Sequence, residues 1–280
     1  MTTRDATVRP LPPPPAPALT VRWLPPAATL IVLLYLSVPV ATVLARTVPG
    51  GLVVEYLTRP IVAEALRLSL VSSLLALALI VLLGTPTAYL LARAEFTGKS
   101  IVETLLDLPI VLPPAVAGVA LLFTFGRRGL FGPLLNALGI EVAFTLTAVV
   151  LAQCFVAAPF YIRTARAGFA AVDREAEEAA MVFGAGPLTV FRLITVPLAF
   201  PALAGGVVLA WAKAIGEFGA TILFAGSFLG RTQTLPLAIY QALETDLNAA
   251  LVISSILVLV SFAVLLTFRL TTGHWVEPLR

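Results

Sequence analysis

Long apolar stretches separated by charged residues dominate the pattern of the chain. Six uncharged runs are each long enough to cross a bilayer as a helix, because about 20 residues rising about 1.5 Å each span a hydrocarbon core about 30 Å thick. These runs cover residues 27–45, 68–92, 108–126, 142–162, 193–212 and 247–268. The pattern therefore predicts an all-α polytopic membrane protein with about six transmembrane helices.

Two of the runs leave their boundaries open. Within the third, Pro109, Pro113 and Pro114 each lack a backbone donor, so its helix either starts near Ile101 and kinks or begins only at the prolines. The fifth run either stops at its end or continues through two charged residues into the apolar stretch 218–230. Backbone groups freed by the prolines need protein or water partners, so we expect that segment to pack inside the bundle.

The two ends of the chain differ from the apolar part. Residues 1–26 are proline-rich and are predicted to form a disordered cytoplasmic tail, 27–272 a transmembrane domain, and 273–280 a cytoplasmic C-terminal tail. The first apolar run is longer than a signal-peptide core, so we interpret it as a retained helix. With both termini in the cytoplasm, the majority of the 18 basic residues lie on the inner side, which favours this orientation in a cell membrane.

Composition supports a protein that uses lipid as its solvent. Hydrophobic residues make up 59% of the chain and charged residues 12%, against about 45–50% and about 25% in soluble domains. The net charge of +3 is too small to indicate a nucleic-acid partner. One cysteine, Cys154, and one histidine, His274, cannot supply a disulfide or a Cys/His metal site within the chain.

Catalytic motifs are equally sparse. An intramembrane hydrolase would need a nucleophile with a neighbouring base or a metal cluster, and only isolated carboxylates are left to build one. Residues 98–100 read Gly-Lys-Ser, but a phosphate-binding loop needs a glycine five residues before Gly98, where Arg93 stands. We therefore expect no nucleotide, cofactor or metal site in this chain and no enzymatic activity of its own.

One polar segment between the fourth and fifth apolar runs, residues 163–197, lies in the cytoplasm in this orientation. Asp173 is suited to cap a helix start, the glutamates after it favour the positive end of the helix dipole, and Gly184 is suited to end the helix. A second short amphipathic helix is expected next, before Pro197 opens the fifth span. A short helix on the membrane surface, stopped by a glycine, is a candidate docking element for a soluble partner.

The same segment resembles the EAA loop of ABC importer permeases at six positions: Glu178, Ala179, Ala180, Gly184, Ile194 and Pro197. The resemblance implies the type I importer transmembrane fold, with residues 178–184 as a coupling helix in a cleft of a cytoplasmic ATPase. Two such ATPase subunits would bind ATP and Mg²⁺, so this chain would hold no cofactor. An ordinary surface helix with a glycine stop is the alternative interpretation.

Further stretches look like the molybdate permease subunit within that family. They are 108–118, 126–129, 216–221, 224–226 and 230–240. The resemblance implies import of molybdate and tungstate by a homodimer, with an extracytoplasmic oxyanion-binding protein delivering the substrate. Sulfate and thiosulfate permeases share 216–219 and are the alternative. Two positions depart from the molybdate pattern, Lys213 in place of an arginine and 227–229 in place of an asparagine-containing turn.

Two charges lie within the fifth apolar region. Lys213 and Glu217 are four residues apart, so on one helix they would share a face and could pair. A charge within a span costs about 2.5–3.5 kcal/mol on insertion scales, so such side chains face protein or a water-filled path. One interpretation makes Lys213, Glu217 and Thr221 candidates for the translocation path or its gate, and the other makes the pair a packing device. A proton-coupled carrier using Glu217 is the alternative from a different class.

Overall fold

Helices are the only regular secondary structure in the described part of the chain, whose structure is a computed structural model. The described residues are 19–48 and 51–276, with side chains described for 25–48, 51–268 and 270. The helices are α1 (Leu19–Thr47), α2 (Leu52–Leu57), α3 (Pro60–Arg93), α4 (Lys99–Val111), α5 (Pro114–Phe125), α6 (Gly132–Ala137), α7 (Leu146–Ala171), α8 (Arg174–Val182), α9 (Pro187–Val190), α10 (Val196–Ile215), α11 (Gly219–Phe224), α12 (Leu235–Thr245) and α13 (Leu247–Val276). A π-helical turn, Phe191–Thr195, joins α9 to α10.

Five helical segments are long and apolar enough to cross a membrane, and a sixth span is reached if a bent pair counts as one. The five are Pro25–Thr47, Pro60–Arg93, Leu146–Ala171, Pro187–Ile215 and Leu247–Phe268. The bent pair is α4 with α5, whose axes differ by 115°. The predicted all-α, multi-pass membrane architecture is confirmed.

The chain divides into two compact units, one up to Ala45 and one from Arg46 onward. In the first unit, the predicted disordered tail 1–26 is wrong for residues 19–26, because α1 already begins at Leu19 and continues through Pro25 and Pro26. A proline lacks one backbone donor and crowds the carbonyl four residues earlier, but the helix nevertheless continues through both. Residues 1–18 lie outside the described part of the chain. At the other end, α13 continues to Val276, so the predicted C-terminal tail also begins too early.

In the second unit, α7 lies between α3 and α10 and packs against both. Their contact is built from small and aromatic side chains, with Ala157, Tyr161 and Phe169 of α7 fully or almost fully buried. Buried hydrogen bonds cross-link the same bundle: the Gln153 side-chain amide donates to the Ser72 hydroxyl at 3.1 Å. Apolar packing fixes α3, α7 and α10 relative to one another, and the buried hydrogen bond adds a polar link between α3 and α7.

Several predicted boundaries shift for local reasons. α3 starts at Pro60 rather than residue 68, because Arg67 pairs with Glu64 one turn earlier at 2.6 Å and both charges are accommodated on the helix. The expected amphipathic helix and the fifth span are one continuous segment, Pro187–Ile215. The fifth span then stops at Ile215, so its continuation into 218–230 is wrong.

Candidate functional site

The polar segment after α7 folds as a short capped helix, α8, as its sequence predicts. The Asp173 carboxylate accepts a hydrogen bond from the Glu175 backbone N–H at 3.0 Å, which satisfies a donor that the first turn leaves unpaired. Glu175 and Glu177 lie in that first turn, where negative charge is favoured by the helix dipole. The start of α8 therefore follows from local chemistry alone.

The end of α8 is a Schellman motif centred on Gly184. The Gly184 N–H donates to the Met181 carbonyl at 2.9 Å, and the Ala185 N–H donates to the Ala180 carbonyl at 3.1 Å. These are the two bonds that define the motif, and they require the first residue after the helix cap, here Gly184, to adopt the left-handed conformation. Gly184 has φ +89°, a conformation that strains any residue with a Cβ. The predicted glycine stop is confirmed.

α8 presents a mixed acidic and apolar surface to solvent. Glu178 and Ala179 are exposed, and Ala180 is half-buried. At the end of the helix, Val182 is 85% and Phe183 91% exposed. Outside the membrane span, exposed apolar side chains next to a carboxylate mark a contact surface. We name residues 178–183 the α8 surface.

The remaining two motif residues lie where the next span starts. Ile194 is half-buried inside the π-helical turn, and Pro197 occupies the first turn of α10. In the turn the Val196 N–H donates to the Phe191 carbonyl five residues back, and the wider ring leaves room for the proline that follows. The six motif positions are therefore split between an exposed helix end and the start of a spanning helix.

Glu177, which the sequence did not single out, is the one buried side chain of α8. Its Oε1 accepts hydrogen bonds from Arg93 Nη2 at 2.8 Å and from Thr195 Oγ1 at 2.6 Å. Arg93 Nη2 also donates to the Val172 carbonyl at 3.2 Å. Two adjacent glutamates point about 100° apart on a helix, so only one of Glu177 and Glu178 can face the bundle. The spacing of residues in the sequence does not predict which of the two it is.

A second region of interest lies where two broken helices meet. The predicted packing of the proline segment inside the bundle is wrong for this chain by itself, because α4 has no buried residue and Pro113 and Pro114 are exposed. α4 and α5 break at residues 112–113, and α10 ends at Ile215 before the short α11. A Cβ on Gly219 would lie 2.5 Å from Pro114 Cβ, so the two breaks touch at a position that only glycine fits. Broken helices inside a membrane bundle are characteristic of transport pathways.

The predicted pairing of Lys213 with Glu217 is wrong. α10 ends between them at Ile215, so the four-residue spacing no longer puts both side chains on one helical face. Glu217 is instead buried, and its Oε1 accepts a hydrogen bond from the Ala220 N–H at 2.8 Å at the start of α11. Among the residues that the structure describes, no carboxylate lies within ion-pair distance of Lys213.

Lys213 lines a small cavity at the helix break. The cavity has a volume of about 110 Å³, and its other walls are apolar or proline side chains: Pro109, Ile110, Leu112, Pro114, Ala117, Val156 and Phe160. Thr221, the third predicted path residue, is buried with its hydroxyl unpartnered, but it is not among the lining residues. The structure thus brings Lys213 alone of the three to the cavity.

Comparisons with known proteins agree with the resemblance seen in the sequence. The family model described as the inner membrane component of binding-protein-dependent transport systems matches residues 84–272. The molybdenum transport system permease protein ModB of Mycobacterium tuberculosis is 44% identical over 210 residues, which cover 75% of this chain and 80% of that protein. A probable sulfate transport system permease protein of Anthoceros angustus is 34% identical over 237 residues, covering 84% and 82%.

Solved structures match the fold at lower sequence identity. A bacterial ABC transporter involved in the import of the acidic polysaccharide alginate superposes with a TM-score of 0.72 at 17% identity, covering 92% of this chain and 98% of that one. At that identity the likeness shows the fold alone. The fold is shared with a chain of that ABC transporter.

Proposed function

Because the chain belongs to the family of inner membrane components of binding-protein-dependent transport systems, we propose that its substrate is molybdate, with tungstate as a second substrate of the same chemistry. As a member of that family it is the permease subunit of an ABC import system, a membrane-spanning subunit rather than an enzyme. The observation that carries the substrate is the 44% identity to relatives named molybdenum permeases. It is supported by Lys213, which lines a cavity and has no ion-pair partner among the described residues.

The α8 surface is the proposed contact with the ATPase. Burial of the exposed Val182 and Phe183 side chains in a protein cleft would be favourable, and Glu178 could form ion pairs with basic side chains of that cleft. Two ATPase subunits that bind ATP and Mg²⁺ would then sit at the Arg93 end of α3, which makes that end cytoplasmic. Both termini lie on the same cytoplasmic side in this topology.

Lys213 is the proposed anion contact in the translocation path. An ammonium held inside a bundle is costly unless it faces water or an anion. A tetrahedral dianion passing the helix break would supply the missing negative charge. The other lining side chains are apolar or proline and offer the anion no further side-chain donor in this cavity, which favours transient contact over tight binding, as a path requires.

The energetics call for an external energy source and for a partner chain. Moving a divalent anion inward against about 100 mV costs about twice 2.3 kcal/mol, or about 4.6 kcal/mol. We therefore assign the driving force to ATP hydrolysis in the partner subunits. A second copy of this chain would complete the path between two bundles, and an extracytoplasmic oxyanion-binding protein would deliver the anion.

A sulfate permease is the second candidate, favoured by the 34% identity to relatives named sulfate permeases. Sulfate is also a tetrahedral dianion, so Lys213 would suit it equally. The two candidates differ in substrate and not in mechanism. The discrimination therefore rests on a transport measurement.

The test is ATP-dependent uptake by proteoliposomes holding this chain with its ATPase and binding protein. Molybdate and tungstate inside the vesicles are measured by metal analysis, with sulfate as competitor. Uptake that resists excess sulfate supports the proposal, and sulfate uptake or strong sulfate competition overturns it. Lys213→Gln should lower the uptake rate while Lys213→Arg retains most of it; equal rates in all three chains would remove Lys213 from the path.

A further inference from the structure

The attachment of α8 to the membrane bundle depends on one carboxylate. Within Arg174–Val182, Glu177 is the only buried side chain, and the helix otherwise contacts α9 and the π-helical turn. A helix that buries no large apolar side chain is held by few apolar contacts. The bond from Arg93 to Glu177, with both side chains less than 15% exposed, is its principal polar link to the bundle.

That carboxylate is bound from two spanning segments at once. Arg93 is the last residue of α3, a helix of 34 residues that begins at Pro60 on the opposite side of the bundle. Thr195 is the last residue of the π-helical turn and directly precedes α10. Glu177 Oε1 accepts from both, so a displacement of α8 acts on α3 and on the start of α10 through this one atom, in addition to the contacts of α8 with α9 and the π-helical turn.

The arginine itself is fixed in place. Its Nη2 bonds to the Val172 carbonyl, just after α7, as well as to Glu177. The guanidinium therefore joins the ends of α3 and α7 to the first turn of α8. A charge-assisted bond in a poorly solvated site is shorter and stiffer than a neutral one, and it resists reorientation more than apolar packing does.

From this geometry we propose that Glu177, held by Arg93 and Thr195, is the positioning residue that transmits movement of α8 to the spanning helices α3 and α10. The proposal rests on the proposed function, since it needs the α8 surface to be the ATPase contact. Glu178 on the α8 surface would meet the ATPase, and its neighbour Glu177 would pass the displacement inward. Of the two adjacent glutamates, Glu178 thus contacts the ATPase and Glu177 transmits the movement to the spanning helices.

A nearby ion pair supplies the matched control. Lys99 Nζ and Glu95 Oε1 are also 2.8 Å apart at the same end of α3, but Glu95 is 87% exposed and the pair lies within one segment, four residues apart. Exposed pairs of this kind contribute little. Loss of that pair should not affect coupling, whereas loss of the Glu177 bond should.

The experiment compares Glu177→Gln, Arg93→Ala and Arg93→Lys with Glu95→Gln and Glu175→Gln in the complete reconstituted transporter. Two quantities are measured: ATPase retained by the purified chain, and oxyanion imported per ATP hydrolysed. Glu177→Gln and Arg93→Ala should retain the ATPase but lower the import ratio by about 5- to 150-fold, the usual range for coupling between sites. Arg93→Lys should recover part of the ratio, and both controls should match wild type.

A second readout works without the ATPase and keeps the proposal testable if Arg93→Ala folds poorly. Spin labels on Leu90→Cys of α3 and Glu175→Cys of α8, in a Cys154→Ala background, report the spread of distances between the two helices. Both positions are exposed. The spread should widen in Glu177→Gln and stay unchanged in Glu95→Gln.

The outcomes separate the two levels of the proposal. An unchanged import ratio and an unchanged distance spread in Glu177→Gln would overturn the role of Glu177. Loss of ATPase binding in parallel with the import ratio would also overturn it, because the effect would then be on docking. Failure of the wild-type chain to retain any ATPase would instead overturn the proposed function, and the spin-label result would still stand.

Discussion

Gly184→Ala tests whether the end of α8 is set by backbone conformation alone. Gly184 has φ +89°, and a Cβ built there meets no atom within 4 Å. Steric clash with neighbours is therefore absent, and the whole cost is that of holding an L-residue in the left-handed region, about 1–2 kcal/mol. That cost shifts the local equilibrium between the intact and frayed helix end by a factor of about 5–30.

Hydrogen exchange of the purified chain measures that factor directly. The Gly184 and Ala185 amides close the Schellman motif, so their exchange reports its opening. In Gly184→Ala they should exchange about 5–30 times faster than in wild type. Gly184→Val should be affected more, since a β-branched side chain fits the left-handed region less well.

Gly186→Ala is the matched control two residues away. Gly186 has φ −71° and also no atom within 4 Å of a built Cβ, so alanine is accommodated without strain. In Gly186→Ala the amides of residues 184 and 185 should exchange at the wild-type rate or more slowly, because alanine reduces the conformational freedom of the unfolded segment and so disfavours opening. Unchanged exchange in Gly184→Ala, or equal acceleration in Gly186→Ala, would refute the backbone explanation. If the ATPase binds only the intact helix end, its apparent Kd for Gly184→Ala should rise in inverse proportion to the fraction of chains whose helix end is intact.

Two further predictions concern stability in detergent. Gly219→Ala should destabilise the chain by about 1–3 kcal/mol, because its Cβ would lie 2.5 Å from Pro114 Cβ. Gly205→Ala is the control: it lies in α10 with open space around a built Cβ, so it should be neutral or stabilising. Equal melting temperatures of the two variants would contradict the close contact at Gly219. Asp246 begins α13, and the bonds from the Ala249 and Asn248 N–H groups and the Tyr56 hydroxyl lower the pKa of its carboxyl below the usual 3.8. A carboxyl whose pKa is lowered by folding stabilises the folded chain at pH values above its unfolded pKa, and this stabilisation is lost as the pH falls through its folded pKa. The stability deficit of Asp246→Asn relative to wild type should therefore shrink from about pH 6 to about pH 3. A deficit that stays constant over this range would contradict the prediction.

The parts of the site that could be predicted from sequence are those with a local cause. Asp173 and Gly184 mark the ends of α8 because capping and a left-handed backbone depend on residues within one or two turns. The burial of Glu177 has no such local cause. Its partner Arg93 lies 84 residues earlier in the chain, and the packing of α3 against α7, whose end leads into α8, brings them together.

The charges inside the membrane show how a prediction from local spacing fails when the helix ends between the two residues. A spacing of four predicts that Lys213 and Glu217 pair only if one helix carries both. The helix ends at Ile215, and Glu217 serves instead to cap α11. The break in α4–α5 was indicated by its prolines, but its 115° angle depends on packing against α11, which lies about 100 residues further along the chain.

The contact between the α8 surface and an ATPase can be tested most directly by cysteine cross-linking. Phe183→Cys in a Cys154→Ala background places a reactive group on a side chain that is 91% exposed. It should cross-link to the ATPase subunit in the assembled transporter, and Leu130→Cys, exposed on the opposite side of the bundle, should not. No adduct at residue 183, or an equal adduct at residue 130, would contradict the assignment of α8 as the element through which ATP hydrolysis drives transport.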